Sequence, residues 1–241
     1  MSAGVLPIVT GATPGERLAS LRAAVPGRIV FTTSFGIEDQ AITHLIAGQG
    51  LDVDLVTLDT GRLFPETYKV WQETEERYGR RIRSIHPDAA ALAALVADAG
   101  VNGFYFSKTA RLDCCGVRKV EPLNRALAGA AAWVTGLRVD QSDERGSVNL
   151  VSRDPERGLI KVAPLFDWSR EDVADFCAAH DVPINDLHGR GFDSIGCAPC
   201  TRAIAPGEPE RAGRWWWEQD EARECGLHVA ADGRLQRSRA A

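Results

Sequence analysis

Short apolar, β-branched runs alternate along this chain with stretches of helical periodicity, and most of the runs end in turn-forming residues. Residues 28–34 (RIVFTTS) follow Pro26-Gly27 and predict a buried strand. Residues 54–58 (DLVTL), 81–85, 132–137 (AWVTGL) and 161–165 predict four more. Between them, 38–49 places Ile42, Leu45 and Ile46 at i, i+3 and i+4, the spacing of one helix face. Pro65 opens a helix through about Tyr78, and Asp88 caps an Ala-rich helix that stops near Gly100. Residues 117–128 read as helical, while 104–115 read as irregular. Ser169 with Asp172 has the form of a capping box before a helix that ends near His180. Strands separated by helices require crossover connections. The expected fold class is therefore α/β: a single domain with a mostly parallel, doubly wound sheet.

The 241 residues divide by pattern into a lead (1–25), an α/β domain (26–188) and a C-terminal segment (189–241) rich in Gly, Pro, Cys, Arg and Trp. That last segment is expected to lie over the sheet's active face, and its tail after residue 200 is expected to move. Trp215, Trp216 and Trp217 cannot all face one way, because successive helical residues turn by about 100°. The net charge of −5 gives no basis for bulk nucleic-acid binding. The N-terminus lacks a basic stretch followed by a long apolar run, and no run approaches the roughly 18 apolar residues of a membrane span. The expectation is a cytoplasmic protein with no membrane partner and with reduced thiols. Composition leaves open whether the chain forms a homo-oligomer.

Three of the five expected strands end in polar turns. The first supplies Ser34, Gly36, Glu38 and Asp39, the second Leu58 and Asp59, the fourth Gly136 and Arg138, with Arg145 close behind. A strand-to-helix turn offers free N–H groups to an anion, and arginine forks suit phosphate or sulfate. Neither GxGxxG nor a GxxxxGK[ST] loop is present. Cys114 and Cys115 are adjacent, and Cys197 and Cys200 form a CxxC pair. Four thiolates suit zinc or an iron–sulfur cluster. Adjacent cysteines crowd a single tetrahedral ion, which favours the cluster; a redox CxxC and unligated thiols remain as weaker alternatives. Cys177 sits among apolar neighbours and reads as core. Cys225 stands alone in ECGLH, three residues before His228 and downstream of Arg211 and Arg214. Positive neighbours lower a thiol's pKa, which makes Cys225 a candidate nucleophile, although a lone cysteine is more often inert and the spacing leaves that reading open.

SFGIEDQ, LDTG with FPETY, CCGVRKVEPL, TGLRVDQSDER, GCAPCTRA, RWWW and ECGLH occur in this order between about residues 30 and 228. Together they resemble the assimilatory adenylyl-sulfate (APS) reductases of the phosphoadenylyl-sulfate (PAPS) reductase family. SFGIEDQ looks like a modified SGGxDS loop of the PP-loop, adenine nucleotide alpha hydrolase-like proteins. Phe35 replaces a loop Gly and Gln40 stands in place of the final Ser, which argues against ATP pyrophosphate chemistry. The resemblance implies reduction of adenosine 5′-phosphosulfate to sulfite and AMP, with thioredoxin or a similar dithiol as donor. It implies an S-sulfocysteine on Cys225, and a [4Fe–4S] cluster on Cys114, Cys115, Cys197 and Cys200. Lys119 would link the cluster to the substrate. Arg211, Arg214, Arg138 and Arg145 would offset anionic charge, and His228 would activate the thiol or position the nucleotide. Ser34, Gly36, Glu38, Asp39, Leu58, Asp59 and Gly136 would line the nucleotide site. Relatives specialised for the 3′-phosphorylated substrate typically lack both cysteine pairs, so the unphosphorylated nucleotide is favoured. Dual activity stays open, as does a zinc-stabilised nucleotide- or tRNA-binding module.

Overall fold

The strands form where β-branched and aromatic side chains can be divided between two covered faces. The computed structural model describes residues 6–141 and 148–218. Its strands are β1 (Ile29–Thr33), β2 (Asp54–Leu58), β3 (Arg83–Ile85), β4 (Ala132–Val134), β5 (Val151–Asp154) and β6 (Leu159–Val162). They lie in the order β3-β2-β1-β4-β6-β5, and every neighbouring pair is parallel except β5 with β6. The helices are α1 (Pro14–Ala24), α2 (Ile37–Gly48), α3 (Pro65–Tyr78), α4 (Ala89–Ala99), α5 (Lys108–Cys115), α6 (Glu121–Leu127) and α7 (Arg170–Ala179). A π-helical turn, Gly116–Val120, joins α5 to α6.

The central strand shows why the sheet is doubly wound. Ile29 and Phe31 of β1 pack with Leu21 of α1, Ile42 of α2 and Val173 of α7. Val30, pointing the other way, packs with Val56, Trp133 and Leu123 of α6. The two-residue alternation of a strand delivers β1 to both cores. Strands β2 and β4 flank β1 on opposite sides, so the chain order reverses there. In an open α/β sheet that reversal leaves a crevice beyond the strands' carboxyl ends.

Four local findings depart from the sequence expectations. The lead contains α1, opened by a Thr13–Glu16 capping box and pinned by buried Arg17, which pairs with Asp167 at 2.6 Å. Its anchoring is partly polar, so apolar spacing does not reveal it. Residues 108–115, expected to be irregular, form α5, capped by the Ser107 hydroxyl accepting from the Ala110 N–H at 3.1 Å. The last parallel strand runs Leu159–Val162 rather than 161–165. It pairs with the unexpected β5 across a turn in which the Asp154 carboxylate accepts from the N–H groups of Glu156 and Arg157. The Ser169–Asp172 box is present as expected, with hydroxyl and carboxylate each accepting a backbone N–H. Among the described residues no helix is long and apolar enough to cross a membrane.

Candidate active site

Three strand ends and the C-terminal segment surround one cavity of about 210 Å³. Beyond β1 the backbone turns sharply at Phe35, whose φ of 60° is left-handed for a residue with a side chain. The buried Phe35 ring, stacked on Trp71 at 5.5 Å between centroids, holds that turn. Ser34 and Gly36 are thereby set at the start of α2, where no side chain caps the first turn. Asp39 takes the Ser34 N–H at 2.6 Å and the Ser34 hydroxyl at 2.8 Å. Gly136, after β4, passes so close to Asp39 that a Cβ there would meet the carboxylate.

Of the residues expected to line the site, Ser34, Gly36, Glu38, Asp39, Leu58, Gly136, Lys119, Arg211 and Arg214 border this cavity. Two others are committed elsewhere. Asp59 accepts from the Gly61 N–H at 2.9 Å and the Tyr68 hydroxyl at 2.8 Å. Arg138 is fully buried, giving Nε and Nη2 to Glu38 at 3.0 and 2.9 Å and Nη2 to Glu210 at 2.9 Å. Its charge goes to carboxylates, and its position supports the cavity wall from behind. Arg145, Cys225 and His228 lie outside the described residues.

Charge states differ among these carboxyls for identifiable reasons. Burial raises Glu38, but Arg138 outweighs it and holds the carboxyl below its usual range. Glu210 receives one bond from the same guanidinium; burial and the neighbouring Glu38 push it up. Burial, reinforced by Glu38, pushes Asp39 up to about 7 against its two bonds from Ser34.

A second pocket, lined by Cys114, Cys115, Cys197 and Cys200, shares a wall with the first. The first two thiols end α5; the other two flank the short turn Ala198–Cys200. Arg62, Arg111, Arg118 and Lys119 also line it, so sulfur donors stand among cations. Lys119, on the π-helical turn, borders both pockets. The thiols are not disulfide-bonded. Among the described residues, no three His, Cys, Asp or Glu side chains are grouped as ligands of a single metal ion. Cys197 is raised by burial, yet Lys119, the Thr60 hydroxyl at 3.3 Å, Arg214 and Arg118 together hold it below the ordinary thiol range. Cys200 has less cationic relief, and burial and the nearby Cys197 push it up to about 11.

Sequence reasoning missed several contributors. Thr60 read only as a turn residue, but its hydroxyl meets Cys197 and its carbonyl accepts from Arg118 at 2.6 Å. Glu210 was one charge in a Gly- and Pro-rich stretch. Trp215, 1% exposed, packs with Phe104, Cys197 and Cys200, whereas Trp216 is 48% exposed. The divided facing expected of the tryptophans holds for these two. Cys177 lies in the main core, as expected.

The phosphoadenosine phosphosulfate reductase domain matches residues 28–203, most of the chain, including the strand ends of the cavity and the four cysteines of the second pocket. The chain belongs to the phosphoadenosine phosphosulfate reductase family. Family relatives include the adenosine 5′-phosphosulfate reductase of Sinorhizobium fredii strain USDA 257, 58% identical over 214 residues, covering 89% of this chain and 85% of that protein. The adenosine 5′-phosphosulfate reductase of Burkholderia cepacia is 48% identical over 217 residues, covering 89% and 87%. The phosphoadenylyl-sulfate reductase of Candida auris, solved as a phosphate complex, superposes with a TM-score of 0.67 at 25% identity, covering 80% of this chain and 90% of that one. An FMN adenylyltransferase of Candida glabrata, at a TM-score of 0.51 and 15% identity over 92% of this chain and 80% of that one, shares the fold alone.

Proposed function

We propose that this chain reduces adenosine 5′-phosphosulfate to sulfite and AMP in the cytoplasm, using a thioredoxin-class dithiol protein as electron donor. The observation that carries the reading is the shared wall. Lys119 borders both the strand-end cavity and the four-thiol pocket, and Arg211 and Arg214 close the cavity from the C-terminal segment. The names of the relatives from Sinorhizobium fredii and Burkholderia cepacia support the substrate. The uncapped first turn of α2 and the three cations suit a nucleotide carrying sulfate.

In the proposed reaction the Cys225 thiolate attacks the sulfate sulfur. The bond from that sulfur to the bridging oxygen breaks, and AMP leaves with the electron pair. The enzyme is left with an S-sulfocysteine. A donor thiolate then attacks Cys225 Sγ, and sulfite departs with the electrons of the cleaved S–S bond. The donor's second thiol resolves the mixed disulfide, restoring Cys225 and leaving the donor oxidised. Two easier steps replace one hard one. The role of Cys225 rests on the ECGLH motif and on the family.

The donor chemistry of the second pocket fits the [4Fe–4S] cluster of such reductases. Cys114, Cys115, Cys197 and Cys200 would hold it, with Lys119, Arg118 and Arg62 offsetting the thiolate charge. When bound, such a cluster would supply electrostatic charge from the four-thiol pocket. The chain's own residues do the remaining work: Lys119 reaches from that pocket to the cavity, and Arg118 braces Thr60, whose hydroxyl meets Cys197.

The likeness to the Candida auris enzyme keeps the 3′-phosphorylated nucleotide as a second reading. Steady-state kinetics with both nucleotides should favour the unphosphorylated one; the reverse preference refutes that choice. Cys225→Ser is expected to abolish sulfite release while the visible absorption of an anaerobically purified protein persists. Mass spectrometry of wild type with substrate should find added sulfite on the Cys225 peptide. An adduct on another cysteine, or an active Cys225→Ser, defeats the mechanism. A colourless protein with stoichiometric zinc points instead to a nucleotide- or tRNA-binding module.

A further inference from the structure

The stretch from Glu210 to Glu218 forms a strap that carries Arg211 and Arg214 to the cavity. Its backbone holds a conformation that side chains avoid: Trp215 sits at φ 44°. Such a residue persists only where its surroundings over-determine it. The surroundings here are specific. The Trp215 N–H donates to the Cys200 carbonyl at 3.1 Å. Its indole lies between two guanidinium groups, Arg111 at 4.7 Å and Arg214 at 4.6 Å from the ring centroid. Arg111 comes from α5, and its side chain and that of Glu218 are only 1% and 6% exposed. Through Nε and Nη2 it makes a two-pronged pair with Glu218 at 2.8 and 2.9 Å. The same guanidinium also faces the Cys115 thiol.

We propose that Arg111 and Glu218 are positioning residues: their buried pair closes the strap onto the four-cysteine pocket and, through the Trp215 indole that Arg111 and Arg214 both contact, aims Arg214 at the cavity. Two features make the pair suited to this. A bidentate arginine–carboxylate contact fixes orientation as well as distance. Removing one partner of a buried pair leaves the other charge without compensation, so the strap cannot relax cheaply into a similar closed form. Arg214 in turn lies across Gly196, where a Cβ would meet its guanidinium, so a small shift of the strap displaces it from a fitted groove.

The test compares hydrogen exchange and kinetics of the full-length, anaerobically purified protein with those of Glu218→Gln and Glu218→Asp. Glu218→Gln keeps the shape and removes the charge. Its amides within 211–217 are expected to exchange about tenfold faster or more, with β1 and β4 unchanged. Glu218→Asp, which keeps the charge at shorter reach, should fall between, and it carries the comparison if Glu218→Gln does not fold. Strap and strands loosening together would mean that the pair serves general stability only. Unchanged exchange in the variants overturns the strap closure. The kinetic arm alone rests on the sulfonucleotide reading: kcat/KM for adenosine 5′-phosphosulfate should fall about tenfold in Glu218→Gln, chiefly through KM. A loosened strap with unchanged kcat/KM overturns the aiming of Arg214. A wild type without sulfonucleotide activity defeats the proposed function while leaving the exchange result to stand.

Discussion

Glu38 and Asp39 are consecutive carboxyls with opposite tendencies. Arg138 holds Glu38 ionised against its burial, while burial lifts Asp39 to about 7. In the unfolded chain an aspartate titrates near 3.9. Between about pH 4 and 7 the Asp39 carboxyl therefore holds more of its proton in the folded than in the unfolded chain, so its own contribution to stability falls as pH rises through that window. Asp39→Asn should flatten this part of the curve, since each pKa unit of difference corresponds to about 1.4 kcal/mol. Urea midpoints of wild type and variant from about pH 4 to pH 8 check this; an equal slope in both refutes it. Residues of this kind were partly legible in the sequence. SFGIEDQ marked the loop and both acids, but not that they titrate apart, because Glu38 is held down by Arg138 from 100 positions away and Asp39 is raised by burial. Gly196 is a similar case. GCAPC draws attention to its cysteines, and the need for glycine appears only when Arg214 lies across it.

Elements with regular apolar spacing and a recognisable cap were readable almost residue by residue. Strand β2 and helix α3 match their expected bounds, and α7 follows its capping box. Ser169→Ala removes an acceptor for the Asp172 N–H at 3.0 Å and breaks the box. The expected cost is about 1 kcal/mol, measured as a lowered denaturant midpoint with unchanged slope. A change within error would mean that tertiary contacts alone fix the start of α7. The elements that escaped the sequence answer to other forces. Helix α5 (KTARLDCC) buries Arg111 and Cys115 toward the four-thiol pocket and the strap, so it has no apolar stripe to detect. The β5–β6 hairpin is four residues on each side and lies at the sheet's edge, where a short run gives little periodic signal.

The whole molecule places its chemistry where its topology reverses. Strands β1, β2 and β4 deliver one wall of the cavity, and the segment after α7 returns over it with Cys197, Cys200, Arg211 and Arg214. The alternation of strands and helices made that crevice predictable. The return of the C-terminal strap was expected only as a covering segment, because no periodicity encodes it: paired charges and an indole hold it. This arrangement sets a global prediction. The two cysteine pairs enter from α5 and from the Ala198–Cys200 turn, with α6, β4, β5, β6 and α7 between them in the chain. The proposed cluster, if held by all four thiols, would cross-link these segments in the folded state alone, and a group that binds only the folded state raises stability by linkage. Iron- and sulfide-loaded protein should therefore melt at a higher temperature than protein stripped by chelation under oxidising conditions. The loss of colour should coincide with faster hydrogen exchange in α5 and in residues 211–217, while β1 and β2 stay protected. Equal melting temperatures for loaded and stripped protein would show that the four thiols tie no distant segments together, and would remove the cluster from the structural account.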